Sequence, residues 1–140
     1  MVQEQNSRKI LIITGIFPPE IGGPANYTKN LAKNLLGLGF DVKVLTYANK
    51  GDKEIETECE VVRVYRWSKL SNYFRFFIKC LNLIGKADVV YSLDWFSAGF
   101  PLYLSSLLRG KKYILRIGGG YIWEKYLAEN NKPVTLIDFY

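Results

Sequence analysis

At 140 residues, 49% of them hydrophobic and 15% aromatic, the chain can bury one well-packed core and is too short for two ordinary domains. A net charge of +6 favours an anionic partner, whether nucleotide diphosphate, nucleic acid or anionic lipid. The absence of histidine removes the usual zinc patterns and excludes Ser-His-Asp and Cys-His catalysis within the chain.

Residues 1–140 are therefore read as a single domain. The opening MVQEQNSRK lacks the charged start, apolar run and small-residue site of a secretory signal, so a cytoplasmic location is expected. Cys59 and Cys80 give no disulfide framework and read as reduced packing residues. The most apolar stretch, Ala87 to Leu108, contains Asp88, Asp94, Gly99 and Pro101, which argues against a membrane-spanning helix.

In chain order, KILIIT from Lys9 to Thr14 is continuous, β-rich and apolar, as a strand buried on both faces of a parallel sheet must be. The loop GIFPPEIGGPA follows, and then a helix in which Tyr27, Leu31, Leu35 and Leu38 recur at helical spacing, ending near Gly37 or Gly39. Phe40 to Tyr47 reads as a second strand, ANKGDKEIETE as a charged connection, and Glu60 to Arg66 as a third strand. From Lys69 to Lys86 the spacing predicts a basic amphipathic helix with Leu70, Tyr73, Phe74, Phe77, Ile78 and Leu81 on its apolar face. Ala87 to Ser92 is a fourth strand, Phe96 to Leu108 a helix interrupted near Pro101, and Lys112 to Ile117 a fifth strand.

Strands alternating with helices imply right-handed βαβ units: an α/β fold with a Rossmann-like parallel sheet and helices on both faces. Ligands of such folds bind at the carboxyl ends of the strands, which directs attention to the loops after Thr14, Ser92 and Ile117.

In the first of these loops Gly22 and Gly23 precede a helix whose free N–H groups and dipole favour an anion such as phosphate. A pair of glycines that only shapes the loop is the bland alternative. A dinucleotide fingerprint is not formed, because nothing follows Gly15 until Gly22 and the second strand ends in Thr46-Tyr47 without an acidic residue. No Walker loop is formed either, since Pro24-Ala25 stands where lysine and Ser or Thr are needed. No GxSxG elbow occurs, so hydrolase chemistry has no visible nucleophile.

The segment GIFPPEIGGPANYTKNLAKNLLGLGFDVKVLT, with echoes in DVVYSLDWFSAGFP and LRIGGGYIWEKY, resembles the opening of the family-4 retaining glycosyltransferases. The resemblance implies one half of a GT-B fold: the N-terminal, acceptor-side domain, completed by a C-terminal, donor-binding domain in cis or trans. It implies transfer of a sugar from a nucleotide-sugar donor to a sugar, lipid-linked or glycan acceptor. It implies no cofactor and no bound metal, with the nucleotide sugar as co-substrate. The family's Glu-x7-Glu pair is absent from this chain, as is a DxD metal motif. An isolated half is expected to be inactive alone, and the chain's apolar ending, without a closing helix, fits a half.

On this reading Gly22 and Gly23 hold the donor phosphates, with backbone N–H groups meeting charge that builds on the leaving diphosphate. Glu20, Asn26 and Tyr27 flank that loop, Asp94 and Trp95 follow the fourth strand, and Arg116, Gly118, Gly119, Gly120, Trp123 and Glu124 surround the last loop, all as acceptor-adjacent or donor-adjacent candidates. Many relatives carry a histidine or Gly-Asp after the fifth strand where this chain has three glycines, so no catalytic residue is assigned. Several candidates have a structural counterpart: Asp94 as a helix cap with Trp95 buried, Tyr27 as core, the triple glycine as a turn. The basic amphipathic helix either lies on an anionic membrane, giving a peripheral contact suited to a lipid-linked acceptor, or packs on the core with a solvated basic face. Rival readings are a noncatalytic nucleotide-fold binding module, a subunit of a split transferase, and an NAD-dependent reductase or epimerase, for which Tyr121 and Lys125 have the Tyr-x-x-x-Lys spacing. The basic residues are too scattered for a nucleic-acid site.

Overall fold

The computed structural model describes residues 7–53, 55–118, 126, 129 and 130. Strands β1 (Lys9–Thr14), β2 (Asp41–Ala48), β3 (Glu60–Tyr65), β4 (Val89–Ser92) and β5 (Ile114–Leu115) form one sheet in the order β3-β2-β1-β4-β5. Every pairing is parallel. Helix α1 (Gly23–Gly37) connects β1 to β2, α2 (Lys69–Ile84) connects β3 to β4, and α3 (Gly99–Arg109) connects β4 to β5. This is the Rossmann-like α/β fold that the alternation of elements predicts.

β1 lies at the centre, paired with β2 on one side and β4 on the other, so its side chains are covered on both faces. Leu11 and Ile13 face α2 and α3, in a core with Leu45, Phe76, Cys80, Ile84 and Leu102. Ile12 faces the other way, toward α1, with Phe17, Ala32, Val42 and Val44. Helices thus cover both faces of the sheet, which explains why KILIIT carries no polar alternation.

The helix faces differ from the periodicity at two places. In α1 the buried residues are Ala25, Thr28 and Ala32, while Leu31 and Leu35 are half-buried and both Tyr27 and Leu38 are exposed. Small residues let α1 approach the sheet closely. In α2 the buried stripe is Phe76, Cys80 and Ile84, one turn apart each, whereas Leu70 and Phe74 face outward.

Ser68 caps the start of α2, its hydroxyl accepting from the Ser71 N–H. α3 starts at Gly99, which places Pro101 in its first turn, where a missing N–H costs no hydrogen bond; the expected interruption does not occur. Gly110, in the left-handed conformation at φ 61, closes it. β5 is shorter than the predicted Lys112 to Ile117, because among the described residues β4 is its only neighbour and both its residues are exposed.

Candidate functional site

The carboxyl ends of β1, β4 and β5 open onto two adjoining hollows of about 370 and 340 Å³. Pro24, Leu93 and Gly118 line both of them. Thr14, Gly15 and Ile16 come from the loop after β1, Asp94, Trp95 and Ser97 from the loop after β4, and Arg116 from the end of β5. These are the three loops that the topology singles out.

At the first loop, Gly22 is the residue preceding α1, and neither a side-chain cap nor an acidic residue neutralises the helix's first turn. In that turn Pro24 has no N–H and Ala25 is buried, so the N–H of Gly23 is the one that opens on the crevice without an intrahelical acceptor, and the helix dipole adds partial positive charge to it. Gly23 lines the second hollow, and a β-carbon there would meet nothing within 4 Å. A β-carbon on Gly22 would come within 2.6 Å of the Ile16 side chain. The helix start is therefore open on the crevice side at Gly23 and closely packed at Gly22.

Two arginines of β3 and its end hold this loop in place, and nothing in the sequence pattern marks them out from ordinary polar strand positions. Arg63 donates to the Pro18 carbonyl at 3.1 Å. Arg66 donates to the Gly15 carbonyl at 3.0 Å, to Asn49 Oδ1 at 3.0 Å and to both carboxylate oxygens of Glu20. Glu20 is thus an ion-paired strut of the loop, and Arg66 also lines the first hollow. Both arginines have their guanidinium groups over aromatic faces, Arg63 over Phe17 and Arg66 over Tyr47.

Asp94 braces the turn that precedes α3 and does not cap the helix, whose N-cap, Ala98, has no side-chain cap. One carboxylate oxygen accepts from the N–H groups of Phe96 and Ser97 at 2.7 and 3.0 Å, and the other from the Ser97 hydroxyl and, at 3.4 Å, the Ala98 N–H. These bonds shape the turn into α3. Trp95, by contrast, is not buried: it stands half-exposed at the rim of the first hollow, edge-on to Phe96.

The second hollow has a cationic wall. The Arg116 guanidinium lies 4.0 Å from the centroid of the Tyr27 ring, so Tyr27 is a crevice residue and not part of the core. Burial, followed by its interaction with Tyr27, pushes the Tyr91 phenol above its ordinary value, while Arg116 pulls it down. Asn26 is exposed beside this group, its backbone N–H given to the Gly22 carbonyl at 3.1 Å. Gly118 joins the two hollows; Gly119, Gly120, Trp123 and Glu124, together with Tyr121 and Lys125, lie outside the described residues.

The geometry brings an open helix start and Arg116 to one crevice, a combination suited to an anionic ligand, while Arg66 is neutralised by Glu20. Among the described residues no group of three or more His, Cys, Asp or Glu is placed to hold a metal ion, and no helix is long and apolar enough to cross a membrane.

No curated protein matches the sequence. Among solved structures, the chain is similar to the C-terminal domain of a hydrogenase from Pyrococcus furiosus, with a TM-score of 0.58 and 17% identity, over 79% of this chain and 92% of that one. At that identity the likeness shows the fold alone. The model of Glycosyltransferase Family 4 matches residues 21–132, which takes in α1 and β2 to β5 but not β1 or the first residues of its loop, and the chain belongs to that family.

Proposed function

We propose that this domain forms one wall of a glycosyl-transfer cleft, taking a nucleotide-sugar donor at the start of α1 and a sugar, lipid-linked or glycan acceptor along the β4 and β5 loops. The observation that carries the reading is the crevice itself: the uncapped first turn of α1 and the Arg116 guanidinium face the same hollow, in a chain of a glycosyltransferase family. In such a transfer the bond between the sugar and the donor's diphosphate breaks, and negative charge grows on the leaving phosphate oxygens. The preformed N–H of Gly23, with the Arg116 guanidinium in the same hollow, stabilises that charge without reorganising. Tyr27 and Trp95 offer aromatic faces on which a sugar ring packs.

The opposite wall, with most of the donor contacts, comes from a C-terminal GT-B domain in cis or trans. The part of this domain is to orient the acceptor and neutralise the leaving group. Ligand-observed NMR with UDP-sugars, GDP-sugars and NAD, offered separately, tests the reading. Weak saturation transfer to a sugar nucleotide, reduced in Arg116→Ala, is the expected result. Tight binding of NAD in place of sugar nucleotides would overturn it in favour of a reductase.

A further inference from the structure

A larger hollow, of about 500 Å³, lies away from the crevice, between α2 and α3. Apolar and aromatic side chains line it: Leu70, Tyr73, Phe74 and Phe77 from α2, with Phe100 and Leu104 among those from α3. Its edges are open to solvent, with Leu70 83%, Phe74 65%, Leu107 62% and Leu108 70% exposed. α3 buries Leu102, Ser105 and Ser106 inward, while Phe100, Tyr103, Leu104, Leu107 and Leu108 face out, so its outer side is apolar as far as Arg109 in the last turn. A helix without a polar face is stable only when something covers it.

The charges around this face are of one sign. From Val61 to Ala87 and from Trp95 to Gly118 the chain contains no Asp or Glu. The same segments carry Lys69, Arg75 and Lys79 on α2, with Arg109, Lys111 and Lys112 at the end of α3. On α2, Lys79 is exposed on the flank beyond Ile78, where its long side chain can extend toward phosphates while the apolar edge is immersed; Arg75 donates to the Tyr65 carbonyl at 3.0 Å. A second copy of the chain is a poor occupant, because a two-fold contact through this face would bring two carboxylate-free basic rims together.

We propose that the α2–α3 face is a membrane-docking surface whose partner is the anionic leaflet of a lipid bilayer. Leu70, Phe74, Leu107 and Leu108 enter the boundary between headgroups and acyl chains, and Lys79 and Arg109 meet lipid phosphates. The exposed apolar surface continues from Phe100 back by one turn to Phe96, next to Trp95 on the crevice rim, so docking brings the crevice close to the bilayer surface. The proposal does not depend on which donor or acceptor the crevice takes.

Flotation of the chain with phosphatidylcholine vesicles, with and without phosphatidylglycerol, tests it. Binding to the anionic vesicles is expected to exceed binding to neutral ones by ~10-fold or more and to weaken as salt screens the phosphates. The double variant Phe74→Glu/Leu108→Glu, at two exposed positions, is expected to keep its melting temperature and lose flotation. If it unfolds, Leu70→Ser carries the same expectation at the most exposed of these sites. Lys79→Glu/Arg109→Glu is expected to remove the preference for anionic lipid. A chain that stays unbound with both vesicles, or binds both equally and is unaffected by these variants, overturns the proposal. So does a dimer in sedimentation velocity that Phe74→Glu/Leu108→Glu dissociates, which would assign the face to a second copy.

Discussion

Gly15 and Gly23 stand at opposite ends of one loop in contrasting surroundings. A β-carbon on Gly15 would collide with the Asp94 carboxylate and approach the Ser97 hydroxyl at 2.6 Å, and Asp94 cannot yield without giving up its bonds to the turn before α3. Gly15→Ala is therefore expected to cost ~1–3 kcal/mol of stability, readable in urea unfolding. Gly23 has open space where its β-carbon would go, and Gly23→Ala is expected to leave stability within ~0.5 kcal/mol of the original. The same methyl would narrow the hollow above α1, so Gly23→Ala is expected to weaken sugar-nucleotide binding; unchanged binding would count against a phosphate at this helix start. The glycines were legible in the sequence because their position after the first strand has a physical meaning. The roles of Arg63 and Arg66 were not, because they depend on β3 lying beside β2 with its carboxyl end next to the loop, a fact of sheet order that local pattern does not carry. Glu20 was legible as a loop residue, but its partner sits far along the chain at Arg66.

At the scale of elements, β1 to β4 fall within two residues of their predicted bounds: β1 was located by a continuous apolar run, because a strand covered on both faces leaves little room for polar side chains, and β2 by alternation of apolar and polar residues. Helix faces were harder. α2 is apolar over so much of its circumference that periodicity offers two stripes, and only contact with the sheet selects Phe76, Cys80 and Ile84 over Leu70 and Phe74. This choice has a measurable consequence. Phe76 is 0% exposed and stacks on Tyr47 with ring centroids 4.3 Å apart, so Phe76→Ala is expected to cost ~3–5 kcal/mol. Phe74→Ala is expected to fall within ~0.5 kcal/mol of the original protein in the same denaturation series. Comparable losses at the two positions would mean that the helix is rotated from the face described.

Over the whole molecule, two buried acids make stability sensitive to alkali. Burial raises the Cys80 thiol above its ordinary value of 9.0, and burial, followed by Tyr73, raises the Tyr47 phenol above 10.0. Both folded values exceed the unfolded ones, so the unfolded chain loses its protons first as pH rises. The contribution is complete below about pH 9 and is lost as pH climbs toward the folded values. Cys80 alone is expected to lower stability by up to ~1.4 kcal/mol per pH unit above that point, a slope that Cys80→Ala should reduce; a urea midpoint unchanged to about pH 10.5 would contradict it.

The central claim is that the crevice above α1 receives the phosphates of a sugar nucleotide, in a chain whose fold and family are those of a glycosyltransferase half. Its most direct test is a map of backbone amide shifts in the isotope-labelled chain as a UDP-sugar or GDP-sugar is raised to millimolar levels. The account predicts weak, saturable shifts concentrated at Gly22, Gly23, Arg116 and Gly118 for at least one of these donors, with the amides of the α2–α3 face unmoved. No shifts at the start of α1 with any of them, or shifts concentrated elsewhere, would contradict it.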